Sequence, residues 1–108
     1  KVSGGQLQRA AICRAMINYP DILFGDEPTG ALNSSSTKEV MDILQQINSD
    51  GTTIMLVTHD AKVASRADRV IYLEDGKIKD TFSQDKNREN NLTMREKNLK
   101  EWLAKMGF

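Results

Sequence analysis

The chain has 108 residues, of which 39% are hydrophobic and 28% are charged, a composition typical of a globular domain or of a piece of a larger one. Equal numbers of basic and acidic side chains give a formal net charge of zero, which excludes an overall basic surface for nucleic acid. No run approaches the roughly 18 apolar residues of a membrane-spanning helix, and no signal peptide is recognisable. We therefore expect a cytoplasmic protein that reaches a membrane only through a partner.

The first predicted element is a helix that begins near Ser3. Ser3 and Gln6 have the spacing of a capping box, and apolar residues recur at helical spacing from Leu7 until Pro20. The only cysteine, Cys13, fits a reducing compartment, and we expect it to be a small buried side chain of this helix.

Two short apolar strands follow, at residues 22–24 and 52–57, and a helix with one apolar face separates them and ends at Gly51. Two such strands joined by a helix predict a parallel sheet that is covered on both faces. With only two central strands, however, these 108 residues should leave much of the sheet face and edge unpaired.

The last third of the chain predicts a short helix near Asp60, a β-hairpin and a terminal helix. Strands at residues 69–73 and 77–82 flank a Glu-Asp-Gly turn. A polar linker follows, and Thr93 with Glu96 forms a second possible capping box. The apolar stripe of the terminal helix must be buried on the sheet or on a partner. Its members are Leu99, Trp102, Leu103 and Met106.

Two neighbouring acids, Asp26 and Glu27, follow the first predicted strand. In open α/β sheets, ligands bind at the carboxyl ends of the strands. One acid at that edge can hold Mg²⁺ while the other polarises an attacking water. The alternative is a strand end with two solvated acids before a turn.

The only histidine, His59, follows the second predicted strand. If the two strands are neighbours, Glu27 and His59 emerge at the same edge, where a histidine can contact a phosphate oxygen. A single histidine at a strand end is more often structural, but the nearby acids favour a functional role.

The opening VSGGQLQR has the features of a phosphate-binding turn. Gly4 and Gly5 permit close backbone approach to an anion, and the turn leads into a helix with free N–H groups at its positive end. Ser3 adds a hydroxyl and Gln6 an amide. Taken alone, the same residues are simply a good helix start.

In sequence order, VSGGQLQR, ILFGDEP, GALN and LVTHD resemble the signature motif, Walker B motif, D-loop and switch-histidine region of ATP-binding cassette (ABC) ATPases. The form DEPTGALN is most similar to bacterial ATPases of lipoprotein-release, macrolide-export and bacitracin-type peptide-export transporters. The resemblance implies an α/β, partial P-loop NTPase fold with parallel central strands flanked by helices, a β-hairpin and a terminal amphipathic helix. Residues 1–82 would be the C-terminal half of the ATPase domain, 83–91 a linker and 92–108 the terminal helix.

The resemblance also implies roles for the matching residues. Asp26 would hold Mg²⁺, Glu27 would be the general base for ATP hydrolysis, and His59 would lie beside the γ-phosphate. The residues implied to bind ATP across a subunit interface are Ser3, Gly4, Gly5, Gln6 and Asn33. Asn33 stands where the family usually has aspartate, so it keeps hydrogen bonding without the charge, and it could cap the following helix.

A phosphate loop, G-x-x-x-x-G-K-[ST], is absent from the sequence. Gly25 and Gly30 have the spacing of its two glycines, but Ala31 and Leu32 follow where the loop needs Lys and then Ser or Thr. We therefore expect a fragment that is inactive alone, cut at the signature motif. The complete protein should form a head-to-tail ATPase dimer, bound to a membrane permease at the inner face of the membrane, with no nucleic acid partner.

Two other interpretations remain open. One is a soluble ABC ATPase of the translation-factor or DNA-repair kind, against which zero net charge, short motif spacing and the lack of coiled-coil heptads argue. The other is a non-catalytic, truncated partner half that supplies only a signature turn.

Overall fold

The structure, a computed structural model, describes residues 4–84 and 92–108 and divides into two compact units. Unit 1, Lys1–His59, contains α1 (Gly4–Met16), β1 (Ile22–Asp26), α2 (Ser34–Ser49) and β2 (Thr53–Val57). Unit 2, Asp60–Phe108, contains α3 (Ala61–Ala64), β3 (Arg69–Glu74), β4 (Lys77–Ser83) and α4 (Leu92–Lys105). The capping box predicted at Ser3 and most of the predicted linker lie outside the described residues.

The sheet of unit 1 is parallel, as the sequence predicts. Leu23 pairs with Ile54, and Asp26 pairs with Val57, so the two strands end at the same level. Helix α2 contacts β2 and buries Val40, Met41 and Leu44. Leu23 is buried on the sheet as well. One apolar layer therefore lies between α2 and the sheet.

The opposite face of this sheet is open. Side chains alternate between the two faces of a strand, and the outward residues remain exposed, with Phe24 at 62% and its pairing partner Met55 at 54%. The side chains of Ile22 and Val57 are exposed as well. The prediction of a sheet covered on both faces is wrong for the described residues, and the expected unpaired face of a two-stranded sheet is confirmed.

Helix α1 packs on α2 through a narrow stripe of residues. Gly5 and Ile12 are its buried members, and Arg9 between them forms an ion pair with Glu39 of α2. Because Cys13 follows Ile12 by one residue, it is turned by about 100° away from this stripe. Cys13 is exposed, so the prediction that it is buried is wrong.

The two glycines that open α1 stand very close to neighbouring side chains. A methyl group at Gly5 would lie 3.1 Å from Cβ of Ser36, and one at Gly4 would lie 3.1 Å from a terminal methyl of Leu32. The Cβ of Ser36 is fixed to the backbone of α2, whereas the end of the Leu32 side chain can rotate. A side chain at residue 5 would therefore require Ser36, and with it the backbone of α2, to move by a few tenths of an ångström.

Unit 2 is built on an antiparallel hairpin. Glu74 pairs with Lys77 across a two-residue turn, and the turn residues Asp75 and Gly76 have φ angles of +53° and +76°. Positive φ at both central positions is the type I′ geometry that matches the twist of a hairpin. The predicted hairpin is confirmed, but its turn is one residue shorter than the predicted Glu-Asp-Gly turn, because Glu74 belongs to β3.

The apolar stripe of α4 is buried within unit 2. Leu99, Trp102 and Leu103 form its core, and side chains of α3 and the hairpin pack against them. The Trp102 ring stacks on Phe82 with centroids 5.2 Å apart. Its indole N–H donates to Asp80 at 3.0 Å, which holds the pKa of that carboxyl below its ordinary value.

A buried arginine also holds α4 in place. Arg95 is 5% exposed, and its guanidinium donates to the carbonyl oxygens of Ser65 at 3.0 Å and Ala67 at 2.9 Å. Because Leu92 already belongs to the helix, Thr93 lies inside the first turn, and the prediction that it is the N-cap is wrong. Among residues 4–84 and 92–108, no helix is both long and apolar enough to cross a membrane.

Gly5→Ala should lower the free energy of unfolding by about 1–2 kcal/mol, because overpacking against Ser36 exceeds the gain in helix propensity. Gly4→Ala is the matched control and should change it by less than about 0.5 kcal/mol, since Leu32 can rotate away. Urea denaturation followed by circular dichroism measures both variants. Equal effects of the two substitutions would contradict the packing explanation.

Leu99→Ala should destabilise the protein by about 2–5 kcal/mol, because Leu99 is fully buried and a cavity would remain. Met94→Ala, on the same helix, should cost less than about 0.5 kcal/mol, because Met94 is 50% exposed. Thermal or urea unfolding distinguishes them. If both variants were equally stable, the burial of α4 in unit 2 would be incorrect.

Candidate functional site

The carboxyl ends of β1 and β2 form one edge at which three of the predicted site residues lie. Asp26 ends β1, and the next residue, Glu27, donates its backbone N–H to the carbonyl oxygen of Val57 at 2.7 Å. His59 follows β2 by two residues. The pairing of the two parallel strands therefore places Asp26, Glu27 and His59 at one edge of the sheet, as expected from the sequence.

The carboxylate of Glu27 is held by the loop that follows β2. Its Oε1 accepts a hydrogen bond from the backbone N–H of His59, and its Oε2 accepts one from Thr58 Oγ1 at 3.3 Å. The His59 Nε2 lies 3.8 Å from Oε1. The Glu27 side chain is 32% exposed and that of His59 is 90% exposed. A half-buried carboxylate thus stands beside an imidazole that is open to solvent.

The backbone of Glu27 has an unusual conformation. Its φ angle is +47°, in the left-handed region that side chains with a Cβ rarely adopt. The carbonyl oxygen of Glu27 accepts the backbone N–H of Gly30 at 3.1 Å, which closes a tight turn directly after the strand. Such strain costs roughly 1–3 kcal/mol and is concentrated at functional sites.

Asp26 is exposed and paired in register with Val57. Within the described residues, no three histidine, cysteine, aspartate or glutamate side chains form a group that could hold a metal ion. Mg²⁺ is commonly bound by one or two carboxylates together with phosphate oxygens and water. A single exposed aspartate at the sheet edge fits that kind of shared coordination.

The loop after Glu27 ends in a helix cap. The side-chain oxygen of Asn33 accepts the backbone N–H of Ser36 at 2.9 Å and the hydroxyl of Ser35 at 3.3 Å. Asn33 is therefore the N-cap of α2, as the sequence allowed. An amide oxygen provides this cap without the negative charge of aspartate.

The predicted phosphate-binding turn lies beside the same loop. Ser3 is outside the described residues, while Gly4, Gly5 and Gln6 form the start of α1. The close neighbours of the two glycines are Leu32 and Ser36, on either side of the Asn33 cap. The predicted site residues thus form two groups: the sheet edge with Asp26, Glu27 and His59, and the helix start with Gly4, Gly5, Gln6 and Asn33.

Sequence reasoning missed Thr58, whose hydroxyl contacts the Glu27 carboxylate. The only available signal was its position in LVTHD, between the end of a strand and the predicted histidine. A threonine there is also an ordinary β-branched strand residue, so its contact with Glu27 becomes visible only when β1 and β2 are paired.

Comparisons with known proteins agree with the motifs. The sequence model of the ABC transporter family matches residues 1–30. A macrolide export ATP-binding/permease protein of Aeromonas hydrophila is 54% identical over 80 residues, which cover 74% of this chain and 12% of that protein. A probable syringafactin export ATP-binding/permease protein of Pseudomonas syringae is 56% identical over 78 residues, which cover 72% of this chain and 12% of that protein.

A solved structure shares the fold as well. The dimeric bacterial ABC transporter cassette MJ0796 superimposes with a TM-score of 0.67 at 44% identity, covering 76% of this chain and 36% of the cassette. A second structure of that cassette, bound to ADP and Pi, gives a TM-score of 0.68. The chain thus spans about a third of the cassette and about 12% of the export proteins, and the predicted P-loop NTPase type of fold is confirmed. Together with the ordered motifs, these similarities show that the chain belongs to the ATPase domain family of ABC transporters.

Proposed function

We propose that this chain supplies the hydrolytic edge and the signature turn of an ABC ATPase that drives export through a membrane permease. The observation that carries the proposal is the Glu27 carboxylate at the sheet edge, held by the loop that contains His59. The names of the macrolide and syringafactin export relatives support the coupling to a permease. The ATPase would work in the cytoplasm, bound through that permease to the inner face of the membrane.

Glu27 would be the general base that accepts a proton from the attacking water. A carboxylate offers about four lone-pair directions, and the hydrogen bonds from Thr58 and His59 use one on each oxygen. The side chain is 32% exposed, so solvent reaches the Glu27 side chain. A base of this kind typically contributes about 10²–10⁴-fold to the rate.

Asp26 would hold Mg²⁺, and His59 would contact the terminal phosphate of ATP. The ion, when bound, neutralises charge that develops on the transferred phosphoryl group. The exposed imidazole of His59 can donate a hydrogen bond to a phosphate oxygen while its backbone N–H continues to hold Glu27. His59 would thus contact both the general base and the phosphate.

The start of α1 would bind the γ-phosphate of ATP that a second ATPase subunit holds. The positive end of a helix and the N–H groups of its first turn favour an anion there. The residues proposed for this contact are Ser3, Gly4, Gly5 and Gln6, and the loop that ends at Asn33 would touch the same subunit. The dimeric state of the similar cassette supports a head-to-tail dimer in which each subunit completes the site of the other.

The isolated chain of residues 1–108 should release no phosphate from ATP above background. Hydrolysis needs a phosphate loop to hold the β- and γ-phosphates, and these residues contain no G-x-x-x-x-G-K-[ST] sequence. A phosphate-release assay with purified chain and Mg-ATP measures this. If the purified chain hydrolysed ATP steadily and Glu27→Gln abolished that activity, a separate phosphate loop would be unnecessary.

In the full-length protein, Glu27→Gln should lower ATP turnover by about 10²-fold or more while leaving ATP binding intact, because only the proton acceptor is lost. The closed dimer should then accumulate with Mg-ATP, measured by size-exclusion chromatography with light scattering. Glu101→Gln, an exposed substitution on α4, is the control and should behave as wild type. A Glu27→Gln protein that stays monomeric with Mg-ATP, or hydrolyses it normally, would refute the assigned role.

A further inference from the structure

Thr58 is the residue that joins β2 to His59, and its hydroxyl reaches the carboxylate of Glu27. Thr58 Oγ1 donates to Glu27 Oε2 at 3.3 Å, across 31 positions of sequence. The residue is half-buried, and it follows the last strand residue directly. Its place is therefore set by the strand pairing that also sets the place of Glu27.

The contact matters because of how a glutamate side chain moves. Three rotatable bonds separate the backbone of Glu27 from its carboxylate, so the strained backbone alone does not determine where the oxygens lie. The backbone N–H of His59 holds Oε1. Thr58 supplies a second donor, on Oε2, and this contact opposes rotation of the carboxylate about its last bond.

We propose that Thr58 is a positioning residue for the general base, in that its hydroxyl orients the Glu27 carboxylate toward the attacking water. The inference rests on the proposed function of Glu27. Proton transfer requires a base within about 2.6–3.2 Å of the water, and a misplacement of about 1 Å can cost about 10²-fold in rate. Loss of the hydroxyl should thus lower kcat without weakening the binding of ATP.

The size of the effect follows from the geometry. At 3.3 Å the hydrogen bond is longer than the 2.5–3.0 Å usual for O–H···O pairs, so it is a weak one. The His59 backbone N–H remains in every side-chain variant of Thr58. We therefore expect a loss of about tenfold in kcat, well below the 10²-fold or greater loss expected when the carboxylate itself is removed.

The test is steady-state ATPase kinetics of full-length Thr58→Val and Thr58→Ser. Valine keeps the shape of threonine and removes the donor, whereas serine keeps the donor and removes the methyl group. We expect kcat to fall about tenfold for valine and to stay within about twofold of wild type for serine, with KM for ATP within about twofold in both. Wild-type kcat in the valine variant, an equal loss in both variants, or an effect on KM alone would overturn the proposal.

A further comparison keeps the test decisive if the valine variant does not fold. Thr58→Ala and Thr58→Ser both lack the methyl group and differ only by the hydroxyl, so serine should exceed alanine in kcat by about tenfold. A ratio near one would overturn the proposal.

The experiments distinguish a failure of the proposed function from a failure of this inference. If Glu27→Gln is inactive while Thr58→Val is normal, only the role of Thr58 is wrong. If Glu27→Gln turns over normally, the general base is wrong and the inference fails with it. In the Glu27→Gln background, Thr58→Val should cause no further loss, because two residues that act through one carboxylate are not additive.

Discussion

The parallel pairing of β1 with β2 is the constraint on which the candidate site depends. Asp26 and Val57 are opposite each other in register, and the bond from Glu27 N–H to the Val57 carbonyl extends the pairing by one residue. A slip of one residue would move every side chain to the other face of the sheet. It would also separate Glu27 from Thr58 and His59, which are not neighbours of Glu27 in sequence.

The same unit shows two uses for the glycines at the start of α1. Sequence reasoning assigned Gly4 and Gly5 to close approach by a phosphate, whereas the structure shows Gly5 buried against Ser36. The two explanations are compatible, because a helix start that lies tightly on the cap of α2 keeps its N–H groups in a defined direction. The helix cap at Asn33 and the glycine contact thus stabilise one local arrangement.

Local patterns were sufficient to predict the elements of the fold. The alternation of helix and strand, the Asp75-Gly76 turn and the Asn33 cap each depend on residues close in sequence, and the structure has all three. The positions of Glu27 and His59, each just after a predicted strand, also predicted that they would share an edge if the two strands were neighbours. Each of these features follows from short-range chemistry or from the geometry of parallel strands.

Features that depend on distant neighbours were not predictable. Cys13 and Phe24 lie in apolar patterns that indicate burial, yet both are exposed because no described element covers them. The contact of Thr58 with Glu27 needs the register of two strands. The positive φ of Glu27 is equally invisible in sequence, because glutamate is not a residue that favours the left-handed region.

That backbone conformation has a consequence for how residue 27 varies under selection. Glycine or asparagine adopts a φ of +47° more readily than glutamate does, so the backbone conformation at this position disfavours glutamate. A library selected only for folded, abundant protein should therefore become enriched in glycine and asparagine at position 27. Enrichment of glutamate under that selection would contradict this expectation. Glutamate would be retained only where survival depends on the reaction. At this position, selection for stability and selection for activity therefore favour different residues.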